Sequence, residues 1–282
     1  MGTLTSLSTV RAKARPPSVF ERDLSVVFNE PVNGEYVRLA LAAPSHLLER
    51  CRAGQFFHLL CPASGEDKPY LRRPMSIYGF FPKQGELHFL YKVTGAGTRA
   101  LSKLCTGDSL NVLGPLGVGF RIEDDWRNLV LVARGVGLAT LAPLALEARN
   151  RGRHLTAICS ARSHDVLMSL DYFAEMGAEI ITVTDADGTS EMGNVEKIIK
   201  RLVAGRGVDA FYTCGSNRML TLLQALGQRY HIPGETALEQ QMACGLGMCH
   251  CCVRPFRKAG ALVQLRVCRE GPVFDLQEAM PW

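Results

Sequence analysis

Five of the ten cysteines in this 282-residue chain fall within one stretch, MACGLGMCHCCVRPFRKAGALVQLRVCREGPVF, residues 242–274. Cys244, Cys249 and Cys252 follow a C-x4-C-x2-C spacing, and Cys268 comes after fifteen further residues. That spacing is the plant-type pattern for a two-iron, two-sulfide (2Fe-2S) cluster, in which four thiolates hold two irons. The chain must wrap closely round the bridging sulfides, and Gly245 and Gly247 keep the first loop clear of side chains. The fourth ligand has to come from a separate segment, and VQLRVC reads as a strand returning to the cluster. Cys251 is expected to be a bystander, because neighbours on a tight loop point in different directions. A structural zinc site is the alternative. It asks for four ligands in a tetrahedron, commonly from two C-x2-C knuckles, and only Cys249 and Cys252 make a clean one, with His250 wedged between two cysteines. With no apolar secretory core near the N-terminus, the cysteine count points to a reducing, cytoplasmic setting rather than to disulfides.

Two further stretches can bind anions and rings. LRRPMSIYG carries Arg73, Pro74 and Ser76 on an extended segment, where the guanidinium and the hydroxyl can both reach a phosphate. Downstream, YKVTGAGTRALSKL puts Gly95, Gly97 and Thr98 before a helix, whose first N–H groups and dipole suit a pyrophosphate. Tyr91 is a natural shelf for a ring. The plainer reading is that Arg73 pairs with a surface acid and the glycines only turn the chain. LVLVARGVGLATLAPLA then runs strand, glycine turn, helix, with Gly135 and Gly137 at the turn, and YTCGSNRML repeats the arrangement with Cys214 and Gly215. Open α/β sheets bind ligands at such strand ends. Cys214 is equally well read as a small buried core residue. Asp185 and Asp187 reach either a ribose or only solvent.

The elements that must position these groups follow from periodicity. From residue 20 to 122, short runs such as GEYVRLALAA, GQFFHLLC, MSIYGFF and GELHFLYKVTG, punctuated by Gly and Pro, predict a β-barrel or a sandwich. From 123 to 234 the strands LVLVA, LTAIC, EIITVT and VDAFYTCG alternate with the helices LATLAPLALEARNRG, DVLMSLDYFAEMG, NVEKIIKRLVAG and NRMLTLLQALGQRY. That alternation predicts a parallel sheet with helices on both faces and right-handed crossovers. Residues 235–282 read as an appended lobe of loops, and residues 1–19 as a flexible extension. The net charge of +5 is spread along the chain, without the basic block of a nucleic-acid partner. No apolar run reaches the roughly eighteen residues of a membrane span.

Taken in order, R-P-x-S, G-x-G-T, GPLGVGF, the glycine turn, C-G and the terminal cysteines resemble the ferredoxin–NADP reductase superfamily. The ending EQQMACGLGMCHCCV…VCREGPVF resembles, within it, the electron-transfer subunits of the two-subunit dihydroorotate dehydrogenases. The resemblance covers roughly residues 20–275 and is most specific from 239 to 274. It implies FAD held by Arg73, Pro74, Met75, Ser76, Leu90, Tyr91, Lys92, Gly97 and Thr98. It implies a 2Fe-2S cluster on Cys244, Cys249, Cys252 and Cys268, and NAD(H) against Gly135, Gly137, Cys214 and Gly215. The family usually has a run of glycines where this chain has Ala133-Arg134-Gly135, and a proline where it has Ser216 and Asn217. Arg134 thus adds a charge near the nucleotide phosphates, and NAD rather than NADP is the expectation. The implied role is an electron relay within a hetero-oligomer, whose partner is an FMN-containing dihydroorotate dehydrogenase subunit. Arg254, Phe256, Arg257, Lys258, Val273 and Phe274 are expected to form the docking patch. The alternatives are the same module serving a hydrogenase or a sulfite or sulfur reductase, and a zinc-stabilised nucleotide-binding regulatory module.

Overall fold

The computed structural model describes residues 19–63 and 65–281. The extension expected over residues 1–19 lies, apart from Val19, outside the described residues.

The first part of the chain forms β1 (Phe20–Pro31), β2 (Tyr36–Ala42), α1 (Ser45–Leu48), β3 (Phe56–Leu59), β4 (Arg73–Ser76), β5 (Gly79–Phe81), β6 (Glu86–Lys92), α2 (Ala96–Leu101) and β7 (Ser109–Leu116). The strands make one antiparallel sheet in the order β4-β3-β7-β1-β2-β6-β5. Its edge strands, β4 and β5, are consecutive in the chain and separated only by Ile77 and Tyr78. The N–H of Ile77 donates to Gln55 at 3.0 Å on one side, and that of Tyr78 to His88 at 2.8 Å on the other. The sheet therefore curls into a barrel. Alternate residues fill its interior, among them Leu39, Leu41, Phe57, Leu59, Phe89 and Tyr91, as the two-residue period of a strand requires.

The second part runs β8 (Asn128–Arg134), α3 (Gly137–Asn150), β9 (His154–Ala161), α4 (Leu170–Glu175), β10 (Glu179–Thr184), α5 (Met192–Gly205), β11 (Ala210–Cys214), α6 (Asn217–Tyr230) and β12 (Gly234–Ala237). A hairpin of β13 (Val253–Lys258) and β14 (Ala261–Arg266) follows, and then β15 (Val273–Asp275). The second sheet has the order β10-β9-β8-β11-β12-β15, parallel except for β15. Strand β8 shows why both faces are covered. Leu129, Leu131 and Ala133 pack with Leu138 and Leu141 of α3, while Val130 and Val132 pack with Val195 of α5 and Leu220 of α6.

Two sequence expectations change here. The helix expected over DVLMSLDYFAEMG is only Leu170–Glu175, because Ser169 takes a left-handed backbone (φ 65°) and a short 3-10 turn precedes it. The segment from residue 235 is not a separate lobe of loops: it gives the second sheet β12 and β15. The cysteine segment leaves and re-enters that sheet. It also packs on the barrel, since Phe56 and Leu116 share a core with Cys252, Val267, Cys268 and Phe274.

Candidate functional site

The cysteine loop brings its four expected sulfurs together as two pairs. Sγ of Cys252 and Cys268 lie 3.2 Å apart, and the Cys268 N–H donates to Cys252 Sγ at 3.4 Å. Cys244 and Cys249 interact through their side chains, and Leu246 N–H donates to Cys244 Sγ at 3.4 Å. Burial raises the Cys244 thiol, but backbone N–H groups of Cys249, Leu246 and Met248 outweigh it and hold the group below the ordinary thiol range. Cys268 moves the other way, raised by burial and then by the adjoining Cys252 sulfur. All ten cysteines are free thiols. A single tetrahedral ion asks for donors around one point, and among the described residues no group of three or more His, Cys, Asp or Glu is so arranged. Two pairs of sulfurs with backbone N–H groups aimed at them suit two irons bridged by sulfides. Cys251 is exposed, while Cys252 and Cys268 are buried.

The expected docking patch is corrected in part, with Arg257 and Lys258 exposed as expected. Arg254, Phe256, Val273 and Phe274 are buried, because these short strands turn them into the core. The exposed apolar residues beside the cysteines are Leu246 and Met248, the latter 80% exposed.

The second region lies where the barrel meets the tips of β8 and β11. Arg73 packs across Gly97 at the start of α2 and donates to the Leu71 carbonyl. Thr98 Oγ1 accepts the N–H groups of Thr94 (2.9 Å) and Gly95 (3.1 Å), so two donors expected to be free at this turn are engaged. Pro74 and Met75 lie on β4 with Arg73, and Ser76 Oγ accepts a hydrogen bond from Thr140 of α3 at 3.0 Å. Tyr91 is not a shelf. Its ring is buried in the barrel and its hydroxyl donates to Asn29 at 3.0 Å, so only its backbone is available to a ligand. Leu90 and Lys92 alternate to the opposite face. Leu90 joins the core beneath the nucleotide sheet, and Lys92 pairs with Glu35 at 2.7 Å. Glu35 also pairs with Arg162 beyond β9, at 3.0 Å. Beside this bridge is a cavity of about 470 Å³ lined in part by Asn29, Glu35, Tyr36, Lys92 and Ser102.

The two glycine turns converge. A Cβ on Gly137 would sit 2.4 Å from the Cys214 carbonyl oxygen, so only glycine lets α3 start this close to the tip of β11. Gly135 hydrogen-bonds to Ser160 at 3.1 Å, and Gly215 lies against the Arg134 carbonyl. Cys214 is buried, which drives its thiol far up, and its side chain contacts Thr140. Thr140 therefore links Ser76 of the barrel to Cys214 of the sheet. The charge of Arg134 is balanced rather than free: its guanidinium meets both oxygens of Asp185 and Ser160 Oγ. Asp187 is likewise engaged, with His164 and Thr184 at 2.7 Å each. Sequence reasoning missed Thr140 and Glu239. Glu239 is still reached by solvent, yet the surrounding protein raises its carboxyl, and its charge acts on Cys214 and Tyr36. An acid just after a short strand and just before the cysteines was the available signal.

Residues 239–279 match the family model described as the iron-sulfur cluster binding domain of dihydroorotate dehydrogenase B. The chain is 34% identical over 221 residues to the Desulforamulus reducens dihydroorotate dehydrogenase B (NAD(+)) electron transfer subunit, covering 78% of this chain and 84% of the relative. It is 33% identical over 253 residues to the subunit of the same name from Streptococcus pneumoniae strain R6, covering 89% and 95%. Among solved structures it resembles the NADH-dependent reduced ferredoxin-NADP oxidoreductase studied for flavin-based electron bifurcation. That match has a TM-score of 0.75 and 27% identity, over 92% of this chain and 90% of the other.

Proposed function

The chain belongs to the electron transfer subunits of dihydroorotate dehydrogenase B, and on that premise we propose that it relays electrons between NAD(H), FAD and a 2Fe-2S cluster. The other end of the relay is an FMN-containing catalytic subunit that acts on dihydroorotate. Two pairs of sulfurs, each receiving backbone N–H groups, carry this proposal. When bound, a flavin trades two electrons with a nicotinamide as hydride and single electrons with an iron–sulfur cluster.

The protein's own part is to bind, orient and exclude water. Arg73 presents a guanidinium for a pyrophosphate, with Gly97 and Thr98 beside it and Pro74, Met75, Leu90, Lys92 and the Tyr91 backbone along the remaining FAD path. The Ser76–Thr140 bond ties the barrel strand to α3 and would hold a hydroxyl at the seam that flavin and nicotinamide would share. Gly135, Gly137, Cys214 and Gly215 would form the nicotinamide side, a wall closed most tightly at the buried Gly137 and Cys214. Cys244, Cys249, Cys252 and Cys268 would hold the irons as thiolates. Leu246 and Met248 offer the partner an apolar contact next to the cysteines. Among the described residues no helix is long and apolar enough to cross a membrane, which fits the proposed cytoplasmic setting.

The test is the holoprotein's visible spectrum together with that of Cys249→Ser. Wild type should show flavin bands plus thiolate-to-iron bands. The variant should lose the latter and stop reducing the partner while still oxidising NADH with an artificial acceptor. A variant that keeps its cluster overturns the ligand assignment. A colourless wild type carrying zinc overturns the whole relay, and a co-purifying chain other than a dihydroorotate dehydrogenase overturns the partner.

A further inference from the structure

We propose that the His58 imidazole is a hydrogen-bond donor to the cluster, giving its Nε2–H to one of the cluster's sulfurs and thereby raising the cluster's reduction potential. This rests on the cluster assignment above.

His58 sits on β3. Phe57 and Leu59, its neighbours on that strand, point into the barrel. His58 and Phe56 turn outward, toward the cysteine segment, with ring centroids 5.7 Å apart. The Cα partner of His58 is Pro74, on the strand that carries Arg73 and Ser76. The side chain thus stands between the proposed flavin strand and the cysteine loop. The contact with that loop is close: a Cβ on Gly245 would lie 2.8 Å from His58 Nε2 and 3.0 Å from Cδ2. Gly245, with φ +69°, directly follows Cys244. The glycine that lets the loop turn is thus also the one that lets the imidazole edge reach it.

His58 has no exposed surface, and neither ring nitrogen has a hydrogen-bond partner among the described residues. Buried polar atoms are rarely left so, because each forfeits its bonds to water. Burial, and then the positive charge of Arg72, hold the ring's pKa down to about 4, and in either protonation state the imidazole has an N–H to give. Its backbone is tied in place, since its carbonyl accepts from Arg72 Nη1 at 3.4 Å. The acceptors a metal-loaded loop would offer are sulfurs. Hydrogen bonds to the sulfurs are among the determinants of a cluster's potential: a donor stabilises the extra negative charge of the reduced state. Partners just outside the ligand shell tune metal sites in the same way.

The test is an EPR-monitored redox titration of the holoprotein in complex with its partner, comparing wild type with His58→Phe, which fills the space without an N–H. The cluster midpoint should fall enough to shift the oxidised-to-reduced ratio about tenfold, which is about 59 mV for a one-electron couple. An unchanged midpoint in a variant that holds its cluster overturns the proposal, as does a shift confined to the flavin. Should His58→Phe fail to load the cluster, pulsed EPR of the reduced His250→Gln protein with 15N-labelled histidine decides. His250 is the one histidine within the cysteine stretch, so a remaining 15N coupling supports His58 and its absence overturns it. If wild type shows no reduced-cluster signal at all, the cluster assignment itself has failed.

Discussion

The barrel and nucleotide sheet on one side, and the terminal loop on the other, use the same residue type to opposite ends. Cys51, Cys61 and Cys159 are buried among apolar side chains, and desolvation pushes their thiols up to about 12, 11 and 12. Such groups are small hydrophobes. In the loop, Cys244 is also opposed by burial, yet converging backbone N–H groups hold it down. Cys268, a proposed ligand, is raised by burial just as the fillers are. What sets the loop apart is therefore the pairing of its sulfurs and the N–H groups that reach them, on a backbone that turns through Gly245 and Gly247.

The contrast can be broken most directly by exchanging losses between the two regions. Cys268→Ala should abolish the iron–sulfur absorption and electron delivery to the partner, beyond the roughly 10–100-fold that losing an outer-shell partner costs. Retention of the bands would place Cys268 with the fillers. Gly137→Ala tests the point where the cleft is tightest. With its Cβ 2.4 Å from the Cys214 carbonyl oxygen, the backbone must give way. The expected loss is about 1–3 kcal/mol of stability with a rise in KM for NADH, read by thermal melting and steady-state kinetics.

The seam between the barrel and the nucleotide sheet has a pH signature. Glu235 on β12 accepts the Arg121 N–H at 2.9 Å, and burial raises its carboxyl from 4.5 to about 7 against the pull of that bond and of the Arg121 charge. The folded state then holds the proton more tightly than the unfolded one. Stability contributed by the protonated acid is full below about pH 4.5 and declines as pH rises to about 7. Melting temperatures from pH 5 to 8 should show this decline in wild type and its reduction in Glu235→Gln, a difference of about 1–2 kcal/mol. The smallest effect belongs to Cys51→Ala, which should cost about 1 kcal/mol and leave the visible spectrum unchanged.

Much of this was legible because it was periodic or spaced. Strands β8, β9 and β11 are compact runs buried on both faces, and the cysteine spacing is set by the geometry of what it holds. Strand β1 escaped individual notice because FERDLSVVFNEP is half exposed and carries charge toward both ends. Strands β12 and β15 are four and three residues long, too short to show a period. The same shortness hid the burial of Val273 and Phe274, which looked like surface residues beside cysteines. Tyr91 misled because the phase of β6, which decides whether a ring faces the core or a ligand, is settled by its partner strands. His58 and Thr140 gave no linear signal, since each matters only through a residue far away in the chain.

The return of the chain at β15 bears on modularity. The cysteine segment is spliced between two neighbouring strands of one sheet, leaving after Ala237 and rejoining at Val273 beside the strand it left. Cutting the protein ahead of its cysteines would therefore strip a border strand as well and uncover the hydrogen-bonding edge of β12. A ferredoxin-like fragment cannot be excised here as a cassette. Any graft of this electron outlet onto another reductase has to carry the sheet edge with it.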